Sequence, residues 1–532
     1  MAIKKIRIFP PIGIARVGNS ESDFFLGPEI PGTVSLPQGG YRDASKCIKR
    51  QGARFHLFAY NEMDQLIGEI NANDADITWS VHIANTKASA EWFGRKDDPK
   101  RLRNANIVGD RSELNLDAGN QVVTGKNPNF ADLSSSLRSR HAIDLMVNKV
   151  LFGKPVSVQM GTILTDDNGL LVVLGGRGKA ESPTGRTLQD AEHPDPAHPS
   201  DFANHDEWYD DVADGSVSAV VTLRDGSIPQ VTPAWVVTAP PKYAPGLQHP
   251  VTLYDTILQV MVDRNLLPDV TAASGYQPLY SRDILPILQR AFNMRWVYAN
   301  GAANLPALNF HRIFSHLPPA ARKAVFNKLG RPSSMMGEPA ANGGDMPRMW
   351  SDRYDKAFRN GTLTRIQYAN MSLWADGSFI DDSTNTPVAP VAISPGGLTR
   401  AALEPCIGAP FYPGIEASWK LRDEYPFVEP FRIDASSIQP GDVSKQMSLP
   451  WQSDFLDCAV EPADSAGQLV WWPAQRPINV IANGNAYVPW AREKTGSTNE
   501  LDSDAMVEKW WMLGFLLEQD DHTFIEVDRI DF

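Results

Sequence analysis

The sequence predicts an α+β protein with a β-rich N-terminal half, a mainly helical middle layer and a mixed C-terminal part that carries the candidate site. Three observations lead there. Apolar residues alternate with period two over residues 1–245, a period near 3.6 takes over in 246–390, and segments punctuated by Pro and Gly fill 391–532. These are the expected regions, with one interwoven catalytic unit as the alternative. A length of 532 residues suggests three or four domains. Hydrophobic content of 42% is enough for a large core.

Taken in order, residues 4–9 (KKIRIF) read as an edge strand, and 53–60 (ARFHLFAY) and 76–85 (DITWSVHIAN) alternate as half-buried strands do. VSVQMGTILTD, GLLVVLGG, SVSAVVTL and AWVVTAPP follow with turn residues between them. Residues 181–214, polar and rich in Asp and Pro, read as a long surface loop or lid. The period then changes. Leu253, Ile257, Val260 and Met261 share one helical face, and Ser281 is an expected N-cap for RDILPILQRAFNMRW. Pro318 and Pro319 open a helix expected to stop at Gly330, and 333–346 reads as a flexible loop. Val507, Trp510, Trp511, Phe515 and Leu517 predict one buried helix over 504–518, and TFIEVDRI a last strand.

Composition excludes several classes of function. With 63 acidic against 50 basic residues the net charge is −13, and no long basic block offers a nucleic-acid or anionic-membrane surface. No stretch reaches the roughly 18 apolar residues of a membrane helix, and MAIKKIRIFPPIG lacks the apolar core of a signal peptide. A cytoplasmic protein is expected, with non-classical export left open. Three cysteines, Cys47, Cys406 and Cys458, do not make a disulfide framework. His311 with His316, and His193 with His198, are five apart, not the i, i+4 of a helical zinc pair, so no metal is expected. LGGRGKA at 174–180 has Ala180 where a phosphate loop needs Ser or Thr, and reads as a turn. Most of the 14 tryptophans must be core.

The candidate site centres on CIGAPFYPGIEASWK, residues 406–420. Pro410 and Pro413 fix φ while Gly408 and Gly414 free it, so Cys406 opens a shaped turn. A second stretch, WWPAQRP, starts at Trp471 and Trp472. These two segments, with PPIGIARVGNS at 10–20, WYDDVADGSVSA at 208–219 and APPKYAPG at 239–246, resemble the LodA-type family of quinoprotein amino-acid oxidases, which includes lysine ε-oxidase and glycine oxidase. The resemblance spans nearly the whole chain. It implies a cofactor made from the protein itself, cysteine tryptophylquinone, joining Cys406 to Trp471 or, as the alternative, Trp472. Ordinary side chains offer almost no electrophile for an amine, whereas an oxidised indole offers a carbonyl.

The same resemblance places a pocket lysine at Lys420, as a base or a partner of a quinone oxygen, against the bland reading of a surface lysine. Trp208, Tyr209, Asp210, Asp211 and Asp214 line a pocket mouth or steer an ammonium substrate in one reading, and form an Asx-turn into a strand in the other. The family pattern sets an aspartate four residues before the cysteine, where this chain has Ala402. Glu404 then substitutes, or another acid does, or the chain stays unmodified and serves as a binding or scaffold protein. The active reading implies oxidative deamination of a primary amine of an amino acid with O2, giving an aldehyde or keto acid, ammonia and H2O2. It further implies ping-pong kinetics, a flavoprotein maturation partner and a homo-oligomer.

Overall fold

Alternation in the first half of the chain becomes one large sheet. The computed structural model describes residues 2–92, 101–188, 204–270, 274–299, 317–333, 346, 361–383, 392–408, 415–417, 420–455, 477–482 and 486–531. The strands, in chain order, are β1 (Lys5–Phe9), β2 (Ile12–Arg16), β3 (Phe24–Leu26), β4 (Arg50–Tyr60), β5 (Leu66–Ile70), β6 (Ala75–Asn85), β7 (Leu116–Thr124), β8 (Ala142–Leu151), β9 (Lys154–Thr165), β10 (Leu171–Gly175), β11 (Ala180–Glu181), β12 (Tyr209–Asp210), β13 (Ala213–Leu223), β14 (Gln230–Thr232) and β15 (Ala234–Ala239). Nine run in the order β7-β6-β13-β15-β2-β4-β10-β9-β8, with β1, β3, β5 and β14 attached, and β11 pairs β12 apart from them. Strands β2, β10 and β15 are buried at every position, as expected of apolar runs covered on both faces. Residues 4–9 are not an edge: β1 pairs β4 antiparallel and β14 parallel, so both its sides are hydrogen-bonded.

One pairing positions the site. β15 lies parallel to β2 with Ala239 opposite Arg16, so both strands end at the same rim. The chain leaves β15 through Pro240 and Pro241, which deliver Lys242 to the same rim; the Arg16 Nη1 donates to the Pro240 carbonyl at 3.0 Å.

Helices cover this rim. The helix Leu253–Asp263 starts at a capping box in which Thr252 and Asp255 satisfy each other's backbone N–H groups, and it buries Leu253, Ile257, Val260 and Met261 as the periodicity predicts. Ser281 is not an N-cap. A turn of π-helix, Tyr280–Ile284, precedes the helix Leu285–Asn293, and the Ser281 N–H and hydroxyl bond Asp382 instead. The helix after Pro318 runs only over Pro319–Phe326, and the Gly330 N–H donates to the Met346 carbonyl at 2.8 Å. Arg365–Asp376 closes at Gly377, whose φ of 84° suits a residue without Cβ. Pro395–Leu403, capped by Ser394, has no counterpart in the sequence reading, because Gly396 and Gly397 depress local helix propensity.

Two further expectations are corrected. Residues 504–518 are not one helix: Ser503–Lys509 is helical, Trp510–Met512 is a 3-10 turn, and Phe515–Glu518 pairs antiparallel with Phe524–Val527. An all-apolar run does not distinguish helix from strand. Gly514, where an added Cβ would collide with Glu526, lets the strand form. Residues 204–214 are not a surface loop. Asn204, Tyr209, Asp210, Asp211 and Asp214 are all buried, while 189–203 lie outside the described residues.

One cluster of buried side chains joins Ile12, Ile14, Trp235 and Val237 of the sheet to Leu253 and Ile257 of the helical region and to Leu403, Cys406 and Ile433. All three stretches of sequence therefore share a core around the cysteine.

Candidate functional site

Cys406 reaches the rim by a short strand-like pairing with the entry of helix Leu253–Asp263. The Leu253 N–H donates to the Cys406 carbonyl at 3.0 Å, and the Gly408 N–H to the Val251 carbonyl at 3.0 Å. Gly408 makes this approach feasible, because a Cβ there would run into the Thr252 carbonyl.

The sulfur sits in a buried charged lattice. Arg16 Nη2 donates to Glu416 Oε1 at 2.8 Å and lies 3.7 Å from Cys406 Sγ. The other oxygen of Glu416 accepts from the Ile407 N–H at 3.0 Å, so one carboxylate holds both the guanidinium and the backbone next to the cysteine. Sγ donates to the Ala402 carbonyl at 3.4 Å. Lys242 Nζ donates to the Pro405 carbonyl at 2.8 Å. Cys406 is 1% exposed and Glu416 is fully buried.

Burial decides the protonation states. It pushes the Cys406 thiol well above its ordinary range, with the Glu416 charge adding to the rise and Arg16 and Lys242 opposing it. It pushes the Lys242 ammonium down to about 7, and the positive charge of Arg16 contributes to the fall. A lysine that is partly neutral near pH 7 can accept a proton, which one on the surface cannot.

Glu404, two residues before the cysteine, is engaged elsewhere. Its Oε1 accepts from Arg400 Nε at 2.6 Å and Arg290 Nη2 at 3.3 Å, and Arg290 also reaches Asp255 at 3.1 Å. Lys420 is half-buried at the start of a π-helical turn, Lys420–Glu424, and its neighbour Leu421 packs in the same cluster as Cys406. Trp471, Trp472 and Cys458 lie outside the described residues, as do His193, His198, His311 and His316. Cys47 is half-buried.

The WYDDVADG segment does not steer a substrate by charge, because its carboxylates are buried and spent. Asp210 pairs with Lys87 at 2.7 Å and accepts from the Val212 N–H at 3.2 Å, an Asx-turn into β13. Asp211 accepts from the Gly178 and Lys179 N–H groups at 2.6 and 3.2 Å, so the turn after β10 that faintly resembles a phosphate loop cradles a carboxylate of the protein. Asp214 accepts from Trp235 Nε1 at 2.9 Å and from the Ser444 hydroxyl at 2.6 Å. The Tyr209 hydroxyl donates to Glu181 at 2.9 Å, in the β11–β12 pair.

Sequence reasoning missed Arg16, Lys242 and Glu416 as site residues. All three stand inside the segments that carried the resemblance, and a lysine between prolines in APPKYAPG was the available signal. Among the described residues no group of three or more His, Cys, Asp or Glu could hold a metal ion, and no helix is long and apolar enough to cross a membrane.

Residues 9–238 match the L-lysine ε-oxidase N-terminal domain and residues 340–479 the L-lysine ε-oxidase C-terminal domain. L-lysine 6-oxidase from Marinomonas mediterranea is 27% identical over 548 residues, covering 86% of this chain and 71% of that protein. The crystal structure of the Schiff base intermediate of L-Lys ε-oxidase from the same organism with L-Lys superposes with a TM-score of 0.75 at 22% identity, over 98% of this chain and 95% of that one. A second structure of the ε-lysine oxidase gives a TM-score of 0.76, also at 22% identity and over the same shares of the two chains. Together these matches define an amino-acid oxidase. The chain belongs to the LodA-type, L-lysine ε-oxidase family.

Proposed function

We propose that this protein oxidatively deaminates a primary amine of an amino acid, using cysteine tryptophylquinone built from Cys406 and Trp471, with Trp472 the alternative partner. Family membership makes the chain an oxidoreductase acting on CH–NH2 with oxygen as acceptor. The finer reading rests on one observation. The only buried cysteine among the described residues has its sulfur beside the Arg16 guanidinium, in a lattice drawn from three segments of the family pattern.

The cofactor would supply a carbonyl that captures the amine and accepts two electrons. Arg16, held by Glu416 and the Pro240 carbonyl, fixes the sulfur end of the link. Lys242 and Lys420 are the candidate proton acceptors for the carbon bearing the nitrogen, and Lys242 has the lowered affinity for a proton that the role needs. Apolar packing by Ile12, Trp235, Leu253 and Leu403 keeps water from the sulfur. The products would be an aldehyde or keto acid, ammonia and H2O2. A flavoprotein for maturation, a homo-oligomeric assembly and a cytoplasmic location belong to the same proposal.

Ala402 favours a second reading, an unmodified binding or scaffold protein, because it removes the carboxylate that the family pattern sets before the cysteine, and the Glu404 carboxylate is gripped by two arginines. Intact mass of protein made with its native partner separates the two. Gain of two oxygens with loss of four hydrogens, together with peroxide release on adding amino acids, supports the oxidase. A mass equal to the plain sequence supports the scaffold.

A further inference from the structure

A polar cavity lies among the helices, against the two arginines that grip Glu404. It has a volume of about 220 Å³, opens partly to solvent and is lined by Tyr254, Asp255, Arg282, Arg290, Asn370 and Arg400, among others. The volume suits a molecule of amino-acid size, below the range usual for drug-sized ligands.

Its walls carry more hydrogen-bonding capacity than the protein uses. Asn370 is 8% exposed, yet its side-chain amide has no hydrogen-bond partner among the described residues. Buried amides are nearly always paired, so an unpaired one lining a cavity points to a ligand. Three further lining groups, the part-buried Asp255 and Arg400 and the exposed Arg282, each keep an atom unused among the described residues. Arg400 uses Nε on Glu404 and Nη2 on the Arg282 carbonyl, leaving Nη1. Arg282 uses Nε on Asp283 and Nη2 on Asp283 and Tyr276, leaving its own Nη1. Asp255 accepts from Thr252 and Arg290 through Oδ2 alone, leaving Oδ1. The Tyr254 hydroxyl is also unpaired among the described residues, while its ring stacks on Phe431 with centroids 5.0 Å apart.

Two guanidinium nitrogens and an amide suit a carboxylate, since planar N–H groups match carboxylate geometry. The remaining oxygen of Asp255 suits an ammonium. Both signs within one small enclosure select a zwitterion over a simple anion or cation. We infer that this cavity is a binding site for a free α-amino acid, held non-covalently, with Arg400 and Asn370 on the carboxylate and Asp255 on the amino group. The site is linked to the cysteine segment on two sides: Arg290 and Arg400 grip Glu404, and Asp255 caps the helix whose entry pairs with Ile407. The inference does not depend on the quinone.

The test uses L-proline, a zwitterion whose secondary amine cannot be captured as a primary amine is, so binding is read apart from catalysis. Calorimetric titration of the full chain should show one site for L-proline at millimolar concentration. Pyrrolidine, which lacks the carboxylate, should bind at least about tenfold more weakly. Asn370→Leu should weaken L-proline at least about tenfold, and Tyr254→Phe, which keeps the stacked ring, about threefold. Failure of the wild-type chain to bind L-proline up to about 50 mM overturns the inference, as does equal binding of pyrrolidine. If Asn370→Leu does not fold, an unchanged affinity in folded Tyr254→Phe overturns it instead. Intact mass is measured on the same sample, so loss of the quinone reading is seen independently of this outcome.

Discussion

Two buried charge clusters lie against the sheet and differ in how fully they are satisfied. In the first, Asp210 has Lys87, Asn85 and the Trp451 N–H, and Lys87 has Asp210 and the Ser448 carbonyl. Each charge meets an opposite charge and further donors or acceptors. In the second, Lys242 donates to a backbone carbonyl and, among the described residues, to no carboxylate, and a thiol faces a guanidinium at 3.7 Å. A buried network with every member paired locks one structure, whereas one with an unpaired ammonium holds a perturbed group ready to exchange a proton. The difference separates the acidic family segment, whose charges are paired, from the cysteine segment, which holds a perturbed lysine and thiol.

The sharpest break in this contrast is Cys406→Ser. Oxidase activity should fall at least about 1,000-fold, corresponding to about 4 kcal/mol, with loss of the cofactor mass shift; turnover and intact mass check it. Lys87→Met should act on stability instead. The pair with Asp210 spans 2.7 Å and both side chains are fully buried, so no water replaces the lost partner. Stranding Asp210 should cost about 3–5 kcal/mol in urea unfolding. Lys242→Met sharpens the comparison through pH. Burial lowers the lysine pKa from 10.5 to about 7, so between those values the native chain binds fewer protons than the unfolded one and its stability rises with pH. Below about pH 7 the wild type carries the cost of a buried ammonium. The Tm of the variant relative to wild type should therefore be higher at pH 6 than at pH 9, and a pH-independent difference would contradict this reading. The smallest effect is expected from Tyr209→Phe, which deletes the bond to Glu181. A hydrogen bond of this kind is worth about 1 kcal/mol net, and its loss should change kcat by less than about twofold.

Legibility followed the range of the interaction. Local patterns were readable: the strands of the sheet, the apolar face and N-terminal start of helix Leu253–Asp263, and the Asx-turn of Asp210. Reading failed where a distant partner overrode a local pattern. Ser281 has a good capping residue type, but Asp382 takes its N–H. The run near Trp510 is apolar on every side, and only pairing with Phe524–Val527 makes its second half a strand. Residues 204–214 look like a loop because they are acidic, and burial with Lys87 and Trp451 makes them core.

Read alone, the chain determined its class and its strand-rich first half and singled out Cys406 as a candidate, because alternation, capping and short motifs are encoded within a few residues of each other. It could not show that Arg16, Lys242 and Glu416 surround that cysteine. The Arg16–Glu416 contact closes across 400 residues, and it exists because β2 and β15 run parallel and end at one rim. No local pattern encodes such a meeting. Burial in the shared core then shifts the protonation of the thiol and the ammonium, and burial is a property of the folded chain alone.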